Sequence, residues 1–125
     1  MNTNELSTAA LAYLGDSVIE VLVREKLVFD GFSDSGNLNR ESLKYVKAGA
    51  QAAAMRKILP SLSEEEEAVF KRGRNMSGGN VPKSATMSEY RTATGMEVLF
   101  GYLHVTKKNE RLKELFELAY AKTEK

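Results

Sequence analysis

Leu11-Ala12-Tyr13-Leu14-Gly15-Asp16-Ser17-Val18-Ile19-Glu20 sets a glycine and an acid in the middle of an apolar run. The helix that holds this run should start after Ser7 or Thr8 and continue to about Phe29. Leu11, Leu14, Val18, Leu22 and Val21 recur three and four residues apart, the spacing of one buried helical stripe. Asp30-Gly31 stops it, and Gly31 to Gly36 reads as a short loop. A glycine inside a helix costs about 1 kcal/mol relative to alanine, so Gly15 asks for a reason, and close approach of a second backbone is the usual one.

Gly95-Met96-Glu97-Val98-Leu99 repeats the arrangement, with Gly101 beyond it, in a helix that should begin near Ser84 to Ser88 and end near Val105. If the glycines let the two helices cross closely, Asp16 and Glu97 converge. Paired carboxylates repel unless a proton or a cation lies between them, and hard divalent cations such as magnesium prefer oxygen ligands. A second reading stays open on spacing alone: Asp16, Glu20 and Arg24 lie one helical turn apart and could form a solvated polar face.

The remaining elements also read as helices. One should run from about Asn37 to Ile58, with Leu43, Val46, Ala50, Ala54 and Ile58 inward, and Pro60 ends it. Ser63 followed by Glu66 is a capping-box spacing, and it opens a short helix that ends near Gly73. Residues 73–87 hold three glycines and one proline with no apolar period, a loop long enough to suggest a function. After a turn at Thr106 to Asn109, a last helix turns Leu112, Leu115, Phe116 and Ala119 inward. The expectation is an all-α fold in a single domain over residues 1–125.

Of 125 residues, 42% are hydrophobic and 28% charged, and there is no cysteine. That excludes disulfide staples, thiolate metal sites and thiol nucleophiles, and it fits a cytoplasmic protein. No apolar run approaches the roughly 18 residues of a membrane span, and no signal peptide opens the chain, so no membrane partner is expected. The net charge is only +1, but the charges are sorted. Residues 1–34 hold six acids and two basic groups, a net of −4. Residues 40–58 and 71–91 each hold five basic groups and one acid, a net of +4 apiece. Lys71, Arg72, Arg74 and Lys83 around a glycine-rich stretch offer cations and free amides to phosphates, although the GxxxxGK[ST] order of a nucleotide loop is absent. A solvated loop balancing Glu64 to Glu67 is the other reading. His104, the one histidine, fits a helix C-terminal end, and the tyrosines Tyr13, Tyr45, Tyr90 and Tyr102 fit core or interface packing.

Tyr13-Leu14-Gly15-Asp16-Ser17-Val18 resembles the signature helix of the ribonuclease III family. Thr94-Gly95-Met96-Glu97-Val98-Leu99-Phe100-Gly101-Tyr102-Leu103 looks like that family's second acid-bearing helix. Phe70-Lys71-Arg72-Gly73-Arg74-Asn75, Val81-Pro82-Lys83 and Tyr90-Arg91 are similar to its short bacterial branch, which works without a double-stranded RNA-binding domain. The resemblance spans essentially the whole chain.

It implies a ribonuclease III endonuclease-domain helical bundle, acting as a homodimer that cuts both strands of an RNA duplex with magnesium and leaves 5′-phosphates and short 3′ overhangs. Asp16 and Glu97 would be the catalytic, metal-binding acids, with Lys47, Lys71, Arg72, Arg74, Lys83 and Arg91 on the RNA. The implied substrate is the base-paired stem of precursor 23S ribosomal RNA, and a ribosomal protein partner is left open. The chain departs from the family's pattern at Ala12 and Thr94, where two further acids are usual. A non-catalytic helical RNA-binding module and a helical interaction domain are the competing readings.

Overall fold

A computed structural model describes residues 6–76 and 81–121. Among them run six α-helices and no strand: α1 (Thr8–Phe29), α2 (Ser35–Val46), α3 (Ala48–Ile58), α4 (Glu64–Arg74), α5 (Met87–Val105) and α6 (Asn109–Ala119). A 3-10 turn at Leu59–Ser61 follows α3. The all-α expectation holds, and no helix among the described residues is long and apolar enough to cross a membrane.

Local chemistry sets the helix starts. The Ser7 side chain accepts from the Ala10 amide at 3.0 Å and opens α1 where the sequence places it. Ser63 and Glu66 form the capping box that their spacing announces. Thr86 and Glu89 form a second one, with the same spacing, at the head of α5. Asp34 caps α2, so that helix begins at Ser35, two residues before the expected Asn37.

The expected single helix from Asn37 to Ile58 is in fact two. Lys47 leaves helical geometry for one residue, with φ −59° and ψ 145°. The break frees the Tyr45 carbonyl from the helix ladder, and the Tyr120 hydroxyl donates to it at 2.9 Å. Tyr120 also stacks at a tilt on Tyr45 and Phe116, with ring centres 5.1 and 5.0 Å away, so the break is held by α6.

α5 is the centre of the molecule. Its buried residues cover all sides from Thr92 to Leu103, and α1, α3, α4 and α6 pack around it. A Cβ placed on Gly15 would fall 1.7 Å from the Glu97 carbonyl oxygen, and one on Gly101 would fall 2.2 Å from the Leu11 carbonyl oxygen. The α1–α5 crossing is therefore backbone on backbone. Gly95 serves a different crossing, α4 on α5, where Gly73 lies against it. Because α1 is centred on Gly15, its buried face is Leu11, Ala12, Val18, Ile19, Val23 and Leu27. Leu14 and Leu22 are only half-buried, and Val21, expected inward, is 54% exposed.

One ion pair ties distant elements together. Arg111 on α6 donates to both carboxylate oxygens of the buried Glu66 at 2.8 Å and to the Ser61 carbonyl at 2.7 Å. That hydrogen bond holds the Glu66 carboxyl down at about 2.

Gly15→Ala should destabilise the protein by about 3 kcal/mol in urea unfolding, because backbone, unlike a side chain, has no rotamer in which to yield. A loss below about 1 kcal/mol would show that the two helices can part freely.

Candidate active site

Gly15 precedes Asp16 in sequence, and it touches the backbone of Glu97 itself. The crossing that needs the glycine thus delivers the two acids to one place. Asp16 is exposed on α1, while Glu97 is half-buried among Met96, Val98 and Phe100 on α5. Burial, the Asp16 charge and a hydrogen bond between the two carboxyls push the Glu97 carboxyl up to about 8. At neutral pH the pair holds a proton between its oxygens; once that leaves, the two carboxylates repel unless a cation lies between them. Glu20 accepts from the Arg24 Nε at 3.0 Å, so that pair closes on itself while Asp16 turns to Glu97. The convergence, rather than the solvated polar face, is what the fold forms.

The positions one turn before each acid add no further carboxylate, and Glu20, one turn after Asp16, is paired with Arg24. Ala12, one turn before Asp16, is buried in the core. Thr94, one turn before Glu97, donates its hydroxyl to the Tyr90 carbonyl at 2.9 Å. Among the described residues no group of three or more His, Cys, Asp or Glu is placed to hold a metal ion. Two hard oxygen donors of like charge are nonetheless the right chemistry for magnesium, which keeps several waters and needs few protein ligands.

The basic residues fall on two regions. Lys71 pairs with Glu67 at 2.9 Å along α4. Arg72 donates to the Thr8 hydroxyl at 3.1 Å at the start of α1. The Arg74 guanidinium lies 5.8 Å above the Phe70 ring. With Asn75, Met87, Ser88, Arg91 and Thr92, Arg74 lines an open cavity of about 310 Å³ between the end of α4 and the start of α5. Lys83 is exposed on the connection before α5, and Lys47 is exposed at the α2–α3 break. The centre of the glycine-rich loop, residues 77–80, lies outside the described residues. His104 is exposed in the last turn of α5. Nothing in the spacing of Arg74 and Arg91, seventeen positions apart, signals that they share a cavity; only the turn of the chain between helices joins them.

A carboxyl whose pKa is higher folded than unfolded makes the folded state bind more protons, so stability falls as pH rises from the unfolded value of 4.5 to about 8. In EDTA, Glu97→Gln should therefore gain about 2 kcal/mol over the parent near about pH 9 and almost nothing near about pH 5. Thermal melts across that range check it; an equal effect at both ends would show that the Glu97 charge is not under strain.

The Ribonuclease III domain family matches residues 9–108. The chain is similar to Mini-ribonuclease 3 of Symbiobacterium thermophilum, 44% identical over 118 residues that cover 94% of this chain and 91% of that protein. It is 45% identical to Mini-ribonuclease 3 of Enterococcus faecalis over 113 residues, covering 89% of this chain and 86% of the relative. A crystal structure of a Fusobacterium nucleatum protein, 31% identical, has the same fold with a TM-score of 0.82 over 90% of both chains. The signature helix, the second acid-bearing helix and the crossing that joins them thus have relatives along nearly their full length, and the chain belongs to the ribonuclease III family, within its mini-ribonuclease branch.

Proposed function

We propose that this chain is a magnesium-dependent, homodimeric endoribonuclease whose single catalytic domain, residues 1–125, matures the base-paired stem of precursor 23S ribosomal RNA in the cytoplasm. Family membership carries the coarser part, an endoribonuclease acting on double-stranded RNA. The observation that carries the site is the carboxyl pair of Asp16 and Glu97, brought together where a glycine lets two backbones touch.

Asp16 and Glu97 would hold the magnesium ion. When bound, the ion supplies Lewis acidity toward a phosphate oxygen and a lowered pKa for water. The chain's own part begins with the Glu97 carboxyl, which gives up the proton it shares with Asp16. The two carboxylates then face the phosphate from fixed positions, because their helices cannot slide at the Gly15 contact. Water attacks phosphorus, the bond to the 3′ oxygen breaks, and a 5′-phosphate and a 3′-hydroxyl result.

Holding the duplex falls to the basic residues. Arg74 and Arg91 line one cavity and can engage a phosphate from two sides. Lys71, Arg72, Lys83 and Lys47 extend the positive surface on either side. Such contacts read backbone charge and A-form shape more than sequence. The homodimer reading is supported by the outer face of α1, where Tyr13 is 84% and Val21 54% exposed, a poor arrangement for an isolated copy in water.

Asp16→Asn should lower cleavage of a duplex RNA in magnesium by at least about a hundredfold while the circular dichroism spectrum stays that of the parent. Full cleavage by this variant would remove the acids from the mechanism. Arg74→Ala combined with Arg91→Ala should weaken duplex binding and reduce the slope of log affinity against log salt by about two, close to one for each phosphate no longer neutralised. An unchanged slope would place the duplex on another surface.

A further inference from the structure

We infer that the break between α2 and α3 is a built device that turns Lys47 outward to the duplex, and that Tyr120 on α6 is its positioning residue. This rests on the nuclease reading above and adds to it a residue that acts on RNA binding through another.

Helical periodicity shows what the break changes. The buried residues of α3 include Gln51, Ala54 and Ile58. Lys47 stands four, seven and eleven positions before them, so an unbroken helix would place Lys47 on that same face. Its side chain would then turn toward α5 and away from solvent. With ψ at 145° the chain swings at this residue instead, and Lys47 is exposed.

The break is held from both sides. Lys47 keeps ladder bonds of its own, donating to the Leu43 carbonyl at 3.2 Å and accepting from the Gln51 amide at 2.8 Å. On the α2 side, an unbroken helix would pair the Tyr45 carbonyl with the Gly49 amide. That carbonyl accepts from the Tyr120 hydroxyl at 2.9 Å. Burial raises the pKa of Tyr120 above its ordinary value, so the hydroxyl stays a donor. The Tyr120 ring packs on Tyr45 and Phe116, and Lys57 Nζ on α3 donates to the Ala121 carbonyl at 3.0 Å, which pins the end of α6 in place.

On the α3 side, no side chain of the helix itself caps the first turn. The Glu89 carboxylate lies there, so close that a Cβ on Gly49 would fall 3.0 Å from its Oε2. A negative charge suits this end of a helix. Glu89 also closes the capping box of α5, and the buried Gln51 donates to the Ala93 carbonyl at 3.5 Å. The head of α3 is thereby docked on α5, the helix that carries Arg91. Lys47 is set relative to the cavity of Arg74 and Arg91 by contacts that leave its ammonium out of them.

Tyr120→Phe removes one oxygen and keeps the ring packing, so the protein should still fold. Duplex affinity is measured in EDTA across a range of potassium chloride for Tyr120→Phe, Lys47→Ala and the double variant, and cleavage is measured in magnesium. Each single variant should weaken duplex binding at least about threefold and lower the slope of log affinity against log salt by up to about one. The double variant should bind no more weakly than Lys47→Ala alone, because a hydroxyl that acts only through Lys47 then has nothing left to position. In magnesium, Tyr120→Phe should raise KM and leave kcat at saturating duplex unchanged, a split that a general loss of folded protein would not give. Parent-like affinity and slope in Tyr120→Phe would overturn the inference, as would losses that multiply in the double variant. Parent-like binding by Lys47→Ala would overturn it as well, whatever Tyr120→Phe does. In each of those cases cleavage by the parent leaves the nuclease reading standing; a parent that neither binds nor cuts the duplex would remove that reading and the inference with it.

Discussion

The contact of Gly15 with the carbonyl of Glu97 fixes how α1 lies on α5, and the other helices pack around that pair. It makes α1 and α5 touch through main chain, and Gly101 repeats the contact one turn away against Leu11. Once that crossing is set, the buried face of α1 is centred on Gly15, and α5 becomes a rod covered on all sides. The second glycine contact, Gly73 against Gly95, brings α4 onto the same rod. The aromatic cluster of Tyr45, Phe116 and Tyr120 and the ion pair of Arg111 with Glu66 then fasten α6 to the helices beneath it.

The same crossing explains the electrostatics. A lone acid in an apolar helix would cost stability with nothing in return. Here two such acids are turned toward each other, and burial together with the Asp16 charge pushes the Glu97 carboxyl up to about 8. The overall charge of +1 hides this division of labour. Acids gather near α1, and basic groups gather at the end of α4 and the start of α5. A protein with little net field attracts nucleic acid weakly from a distance, so short-range contacts have to supply the binding.

Much of this was legible in residues whose chemistry is local. Ser7, and Ser63 with Glu66, announce helix starts because a cap depends on three or four consecutive residues. Gly15 and Gly101 announce a close crossing because their cost inside a helix needs compensation, and the acids beside them follow. The break at Lys47 was not legible: no proline marks it, Gly49 falls inside the next helix, and the Tyr45 carbonyl that it releases is taken by the Tyr120 hydroxyl 75 positions away. Val21 pointed inward on period alone, since helical spacing fixes the neighbours on a face but not where the face is centred. The meeting of Arg74 and Arg91, and of Arg111 and Glu66, depends on how helices turn back on one another. Thr86 with Glu89, and Asp34 ahead of Asn37, are helix starts written in local spacing.

A separation between two carboxyls that is fixed by main-chain contact is indifferent to what fills the surrounding core. Leu11, Val18, Leu99 or Leu103 can exchange for other apolar residues, and the neighbours can repack, while the distance between α1 and α5 stays the same. The freedom to drift is therefore distributed unevenly: wide through most of the interior, and nearly nil at two positions that have no side chain at all. A mutational library of this fold would find its least replaceable residues where a chemist, looking for reactive groups, would see only hydrogen atoms.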